Sequence, residues 1–227
     1  MTPDLLALAN RALQFVPDGA RIGLGSGHTA EAFLQVLGQK ARRGLHVRGV
    51  PTSEEVAAMA QALGIPVEPL TYDEPLAVTI DGADEVERGT LNLIKGWGGA
   101  LVRERIVAAA SRKQVIVATA EKLVDRLGQR GKLPVEVLPF AAEFCRKRIE
   151  QVGGLRPALR RRDGETFITD NGNWIFDCAL GPQADPAGLD RALRAIPGVV
   201  DTGLFLGTAS AVLVASGGQV QELTRSR

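Results

Sequence analysis

Apolar residues recur along this chain in two alternating rhythms, one of helical and one of strand period. Leu5, Leu8, Ala9, Ala12 and Phe15 fall at helical spacing over residues 4–15, and Pro17-Asp18-Gly19 closes that run with a turn. Arg21-Ile22-Gly23-Leu24-Gly25 reads as a short strand. It breaks into Ser26-Gly27-His28-Thr29, after which Phe33, Leu34 and Leu37 mark a second helix. Residues 45–50 form the next strand. Pro51-Thr52-Ser53-Glu54-Glu55 then supplies hydroxyl caps and acidic first-turn residues to a helix carrying Val56, Met59, Ala60 and Leu63. Ile65-Pro66-Val67 begins a short strand, and residues 69–75 are loop. Leu76-Ala77-Val78-Thr79-Ile80 is an unbroken, largely β-branched run, the pattern of a central parallel strand buried on both faces. Residues 91–94 are again largely apolar and run through Lys95 into a glycine-rich turn, with a helix beyond it on Leu101, Ile106, Val107 and Ala110. Gln114-Val115-Ile116-Val117-Ala118 is a fourth strand of the buried type.

The rhythm changes near residue 131. Gly131 to Pro139 is extended and punctuated by prolines, the character of a crossing between domains. A helix over 141–152 ends at Gly153-Gly154. Strands over 155–159, 167–169 and 174–180 follow, the last two joined by the hairpin turn Asp170-Asn171-Gly172-Asn173. A helix over 189–196 and a strand over 199–206 complete this part, and the apolar strand 211–215 is expected to rejoin the first sheet. The pattern predicts an α/β fold: a Rossmann-like, mainly parallel sheet with helices on both faces, plus a smaller α+β second domain. The expected division is 1–130 with 204–227 for the larger unit and 131–203 for the smaller.

Composition narrows this picture by exclusion. The 227 residues are 45% hydrophobic, enough for a sizeable core, and 27 basic residues balance 26 acidic ones. No basic excess points to nucleic acid or an anionic membrane. Cys145 and Cys178 stand far apart without histidine neighbours, which argues against a disulfide framework and a zinc site. With two histidines in the chain, no histidine-rich metal site is expected. No apolar run approaches the ~20 residues of a membrane span. Residues 1–10 lack the basic start and apolar run of a signal peptide, so a cytoplasmic protein is expected.

Candidate chemistry gathers where strands end, the place where ligands bind in open α/β sheets. Gly23 to Thr29 is a strand, glycine turn and helix start, suited to a phosphate or carboxylate, with Ser26 and Thr29 as possible hydroxyl donors. It is neither a dinucleotide fingerprint nor a Walker loop. His28 reads more readily as a helix-terminal surface residue than as an anion ligand. Asp81-Gly82-Ala83-Asp84-Glu85 puts three carboxylates at the end of the central strand, for a cation, for sugar hydroxyls or for acid–base work. Lys95-Gly96-Trp97-Gly98-Gly99 joins a cation to backbone donors, and Glu104 follows in the first turns of the next helix. Taken alone, that stretch is read equally well as a helix start with solvated charges. Lys122 in the loop 119–122 stands on the same edge, and Arg160-Arg161-Arg162 reads as a solvated face.

Four motifs in this order resemble the type A family of ribose-5-phosphate isomerases: residues 23–30, 81–85, 95–104 and Pro134-Val135-Glu136-Val137. The similarity runs nearly end to end, through Thr169-Asp170-Asn171-Gly172-Asn173 and Ile196-Pro197-Gly198-Val199-Val200. The resemblance implies interconversion of ribose 5-phosphate and ribulose 5-phosphate with no metal and no cofactor. It implies Glu104 as the base moving a proton between C1 and C2, with Asp81, Asp84 and Lys95 around the reacting end of the sugar. The implied substrate contacts are Ser26, Gly27, His28, Thr29, Asp81, Gly82, Ala83, Asp84, Lys95, Gly96, Trp97, Gly98 and Lys122. A homo-oligomer, dimer or tetramer, is implied as well. Two positions depart from the family pattern: His28 replaces a small hydroxyl residue, and Trp97 replaces a glycine. The latter suggests that the backbone of residue 97 matters and its ring points away. Asp81 is the expected ring-opening group, and Asp84 is expected to orient a hydroxyl or Lys95. Two rivals remain at this level: a CoA-transferase-like enzyme with a nucleophilic glutamate, and a non-catalytic sugar-phosphate sensor. Residues 1–20, with one helix and no basic character, count against the sensor.

Overall fold

The computed structural model describes residues 1–225. Its first part runs α1 (Pro3–Leu13), β1 (Ala20–Leu24), α2 (His28–Ala41), β2 (Val47–Pro51), α3 (Glu54–Ala62) and β3 (Val78–Asp81). It continues through β4 (Glu85–Glu87), β5 (Leu93–Ile94), α4 (Leu101–Ala109), β6 (Gln114–Thr119) and β7 (Leu123–Val124). Then come β8 (Lys132–Val137), α5 (Ala142–Glu150), β9 (Arg156–Leu159), β10 (Arg161–Arg162), β11 (Glu165–Thr166) and β12 (Trp174–Ala179). The chain ends with α6 (Pro186–Arg194), β13 (Val199–Thr202), β14 (Leu204–Phe205), β15 (Ala211–Ser216) and β16 (Gln219–Leu223).

The main sheet has the order β16-β15-β6-β3-β1-β2 and is parallel except for β16. Its interior strands are apolar at successive positions because both faces are covered. Val115 and Val117 pack with Leu8, Phe33 and Leu34 on one side. Ile116 and Ala118, one residue out of phase, pack with Leu101, Val212 and Phe205 on the other. As expected from residues 211–215, β15 returns to this sheet beside β6. The smaller α+β domain is an antiparallel sheet, β13-β8-β12-β9, whose core includes Leu133, Val135, Cys145, Ile149, Phe176 and Leu193.

Several elements differ from what the sequence predicts. The proline-punctuated stretch 131–139 is not a crossing: β8 is an inner strand of the second sheet, paired on both sides. The run 199–206 is two strands, β13 on β8 and β14 on β5, with the chain changing sheets at Gly203. Residues 65–67 and 167–169 reach only isolated bridges, Gly49↔Val67 and Ile168↔Trp174. On α4, Leu101, Glu104, Val107 and Ala108 form the buried face, while Ile106 is exposed.

This topology positions the functional loops. Strands β6, β3 and β1 are neighbours, so their carboxyl ends deliver residues 119–122, 82–84 and 25–29 side by side. The turn 95–99 arrives differently. It follows β5 in a separate small sheet, β14-β5-β4-β7, and not the edge of the main sheet. Glu85, expected in the strand-end loop, instead opens β4, fully buried, and accepts from Gly128 N at 2.6 Å and Arg130 N at 2.7 Å. It braces the 125–131 loop and is not part of the cavity wall that Asp84 lines.

Candidate active site

The three strand-end loops, the turn 95–99 and α4 enclose a cavity of about 360 Å³, within the range of small-ligand sites. Its wall includes Ser26, Gly27, His28 and Thr29, Gly82, Ala83 and Asp84, Lys95, Gly96 and Gly98, Glu104, and Lys122. The wall also includes Thr2, which caps the first helix, and Leu5 within it, neither expected from the sequence, together with Thr119 and Glu121 of the expected loop 119–122. The spacing of Leu5 marks it only as core, because periodicity does not distinguish a core neighbour from a cavity wall.

At the centre lies a buried charge cluster. Lys95 Nζ is 2.9 Å from Asp81 Oδ2 and 3.4 Å from Glu104 Oε1, and it donates to Gly82 O at 2.5 Å. Lys95 is 2%, Asp81 0% and Glu104 5% exposed, so these charges act at low dielectric. Burial alone would lower the Lys95 pKa, but the Asp81 and Glu104 carboxylates outweigh it and raise it, so Lys95 stays a cation. Burial drives Glu104 the other way, from 4.5 up to about 8, with Lys95 opposing and the Asp81 and Asp84 charges adding to the rise. Burial also raises Asp84, against the Trp97 N–H and Lys95. One Glu104 oxygen faces Lys95; the other, Oε2, is buried without a hydrogen-bond partner. An ionisable oxygen in that condition is an available proton acceptor.

Asp81 departs from expectation, since its side chain does not line the cavity, whereas the Trp97 ring lies outside it as its place in the glycine turn suggests. Asp81 Oδ1 accepts from Ser26 N at 3.1 Å and Gly82 N at 2.8 Å, and Oδ2 pairs with Lys95. It stands behind the lysine as a strut. Gly25 makes this possible, because a Cβ there would lie 2.3 Å from Asp81 Oδ1. Trp97 turns its ring away from the cavity, and Nε1 donates to Lys132 O at 3.1 Å. Lys132, Arg130 and Lys122 surround that ring at 5.1, 5.6 and 5.7 Å. Its backbone N–H, facing inward, donates to Asp84 Oδ2 at 2.9 Å. Gly96 starts the turn at φ +97°, a conformation that side-chain-bearing residues rarely adopt.

The hydroxyls expected as donors are already engaged. Thr29 Oγ1 donates to Val117 O at 3.0 Å. Ser26 Oγ lies 2.6 Å from Thr52 Oγ1, whose own proton goes to Leu24 O, so Ser26 donates to Thr52. What this end of the cavity offers an anion is the start of α2, whose first N–H groups lack intrahelical partners. Exposed His28 and half-buried Lys122 line the same cavity. Among the described residues, no group of three or more His, Cys, Asp or Glu side chains is placed to hold a metal ion.

Comparison with known proteins is consistent across sequence and structure. The family model for ribose 5-phosphate isomerase A (phosphoriboisomerase A) matches residues 48–219. Ribose-5-phosphate isomerase A of Gloeobacter violaceus is 50% identical over 218 residues, covering 96% of this chain and 94% of that one. That of Thermomicrobium roseum is 48% identical over 220 residues, covering 96% and 92%. Among solved structures, ribose 5-phosphate isomerase A of Methanocaldococcus jannaschii superposes with a TM-score of 0.92 at 37% identity, covering 97% and 98% of the two chains. A D-ribose-5-phosphate isomerase in complex with phospho-erythronic acid superposes at 0.92 and 36% identity, covering 97% of each.

Proposed function

The chain belongs to the ribose 5-phosphate isomerase A family, and from that premise we propose how its residues divide the work. The reaction interconverts D-ribose 5-phosphate and D-ribulose 5-phosphate in the pentose phosphate pathway. In the open aldose, Glu104 Oε2 takes the proton from C2, and an enediolate forms across C1 and C2. The hydroxyl proton passes from O2 to O1, the same carboxylic acid returns its own proton to C1, and the carbonyl forms at C2, leaving the ketose and an ionised Glu104. The observation that carries this assignment is the buried Glu104 with one oxygen unpartnered at the cavity wall.

Charge balance explains Lys95. Before proton transfer it faces two carboxylates. When Glu104 becomes neutral, the negative charge reappears on the enediolate, and Lys95 exchanges one anionic partner for another. Asp81 keeps the lysine in place throughout. The ring-opening role expected of Asp81 passes in this reading to Asp84, which lines the cavity and whose raised pKa favours a transferable proton. The phosphate meets the N–H groups at the start of α2 and Lys122. In the same reading the larger unit is 1–130 with 204–227, the smaller is 131–203, and the enzyme works in the cytoplasm as a homodimer or tetramer. Exposed Phe140 and Phe144 support an interface.

The test is turnover of ribose 5-phosphate by Glu104→Gln. General-base catalysis contributes ~10²–10⁴ in rate, so kcat should collapse by that order while substrate still binds. Retention of more than about a tenth of wild-type kcat removes Glu104 from the role of base.

A further inference from the structure

Arg160 belongs to the arginine run that reads as a solvated face, yet its side chain is only 9% exposed. It emerges at the end of β9, beside Asp177 of β12, and reaches out of the antiparallel sheet towards the turn that follows β5. Nε lies 3.0 Å from Asp177 Oδ2 and Nη2 lies 2.5 Å from Oδ1, a two-point fork. The remaining nitrogen, Nη1, donates to both Gly96 O and Trp97 O, each at 3.1 Å. Phe167 closes over the same turn, where a Cβ on Gly99 would lie 2.5 Å from its ring.

Those two carbonyls belong to consecutive peptides. The first, between residues 96 and 97, is gripped from opposite sides: its N–H goes to Asp84 and its C=O to Arg160. In the second, the C=O of Trp97 points at Arg160. A trans peptide is planar with N–H and C=O opposed, so the Gly98 N–H is aimed away from Arg160. Gly98 lines the cavity with Lys95 and Glu104, and its N–H donates to no acceptor among the described residues. We infer that Arg160, itself oriented by Asp177, is a positioning residue that holds the Gly98 N–H as a preorganised donor to the enediolate oxygen. This rests on the reading of the 95–99 turn as the oxyanion side of the site. A guanidinium is needed because one planar group must satisfy a carboxylate and two carbonyls at fixed angles, which a lysine ammonium does not do.

The experiment compares wild type, Arg160→Lys and Asp177→Asn in steady-state turnover of ribose 5-phosphate and in inhibition by phospho-erythronic acid. The carboxylate of that compound carries the two-oxygen negative charge of the enediolate. Loss of one preorganised donor lowers kcat ~10²-fold. We expect Arg160→Lys to show that loss, with KM within about threefold of wild type and inhibitor affinity falling in step with kcat. Asp177→Asn should show the same split to a smaller extent, and the acidic limb of its pH profile should stay in place because Glu104 is untouched. If Arg160→Lys melts below the assay temperature, Asp177→Asn decides by the same criteria. The inference is overturned if kcat stays within about threefold of wild type, or if KM and inhibitor affinity weaken equally with kcat unchanged. A wild-type protein inactive on ribose 5-phosphate overturns the functional reading instead.

Discussion

Glu104 and Lys95 show how one buried residue sets the charge of another. Folding takes Glu104 out of water and raises its pKa from 4.5 to about 8, so the folded protein holds a proton there that the unfolded chain releases in between. The stability from this group is fully present below the unfolded value and is lost as pH rises through the folded one. Urea midpoints of wild type and Glu104→Gln measured at about pH 5 and pH 9 should therefore differ in pH dependence, the wild type losing more on the alkaline side. In activity the same group acts oppositely, since the base must be ionised. The kcat/KM profile should rise through a pKa above the ordinary carboxylate range, and an acidic limb near 4.5 would contradict the burial of this base. Asp84 allows a separate test. Ribulose 5-phosphate has no furanose form, because its 5-oxygen carries the phosphate. Asp84→Asn should keep solvent exchange at C1 of ribulose 5-phosphate to within about tenfold of wild type while losing ~10²-fold or more in conversion of the furanose aldose. Equal losses in both would move ring opening to another group.

At the scale of elements, local chemistry predicts the start of α3. Ser53 stands where the sequence predicts a hydroxyl cap for α3, and its Oγ accepts from Val56 N at 3.1 Å. The start of α6 is not legible in the same way: it begins at Pro186, three residues ahead of the expected start at 189, and Asp185 caps it, accepting from Gly188 N at 2.8 Å. Asp185→Ala should cost ~1 kcal/mol and lower Tm by roughly 2–4 °C in a chain of this size, with kcat unchanged because α6 lies outside the cavity wall. α2 is capped by Gly27 with no side-chain hydrogen bond, which leaves its first N–H groups open towards the cavity. An element end that is poorly capped for stability is thereby well suited to an anion.

Across the whole molecule, α4 is gripped on both sides of Glu104, the proposed base. Arg103 donates to Asn171 Oδ1 at 2.9 Å and Asp170 O at 2.8 Å, while Arg105 pairs with Asp201 and donates to Thr202 O at 2.8 Å and Leu204 O at 3.0 Å. Two arginines bind the smaller domain so that the glutamate between them faces inward. The same site predicts its response to chelation. The oxygens around Lys95 are arranged about an ammonium, so dialysis against EDTA should leave ribose 5-phosphate turnover within about twofold of the untreated enzyme. Loss of activity that Mg²⁺ restores would require a metal in the mechanism.

Periodicity by itself determined the buried strands 76–80, 114–118 and 211–215 and the alternation with helices, because burial on both faces of a parallel sheet demands apolar side chains at successive positions. The ordered motifs determined the family and the neighbourhood of Glu104, Lys95 and Asp84. Tertiary structure alone decided which of these side chains meet the cavity. Asp81 and Asp84 are three residues apart in one motif, yet one is a strut behind Lys95 and the other a wall of the cavity. Ser26 and Thr29 look like free donors until Thr52 and Val117, distant in sequence, take their protons. Arg160 looks solvated until the second sheet places it on the carbonyls of Gly96 and Trp97. Hydrophobic pattern is a property of neighbours along the chain, whereas the partner of a polar group is set by whatever the fold brings within about 3 Å of it.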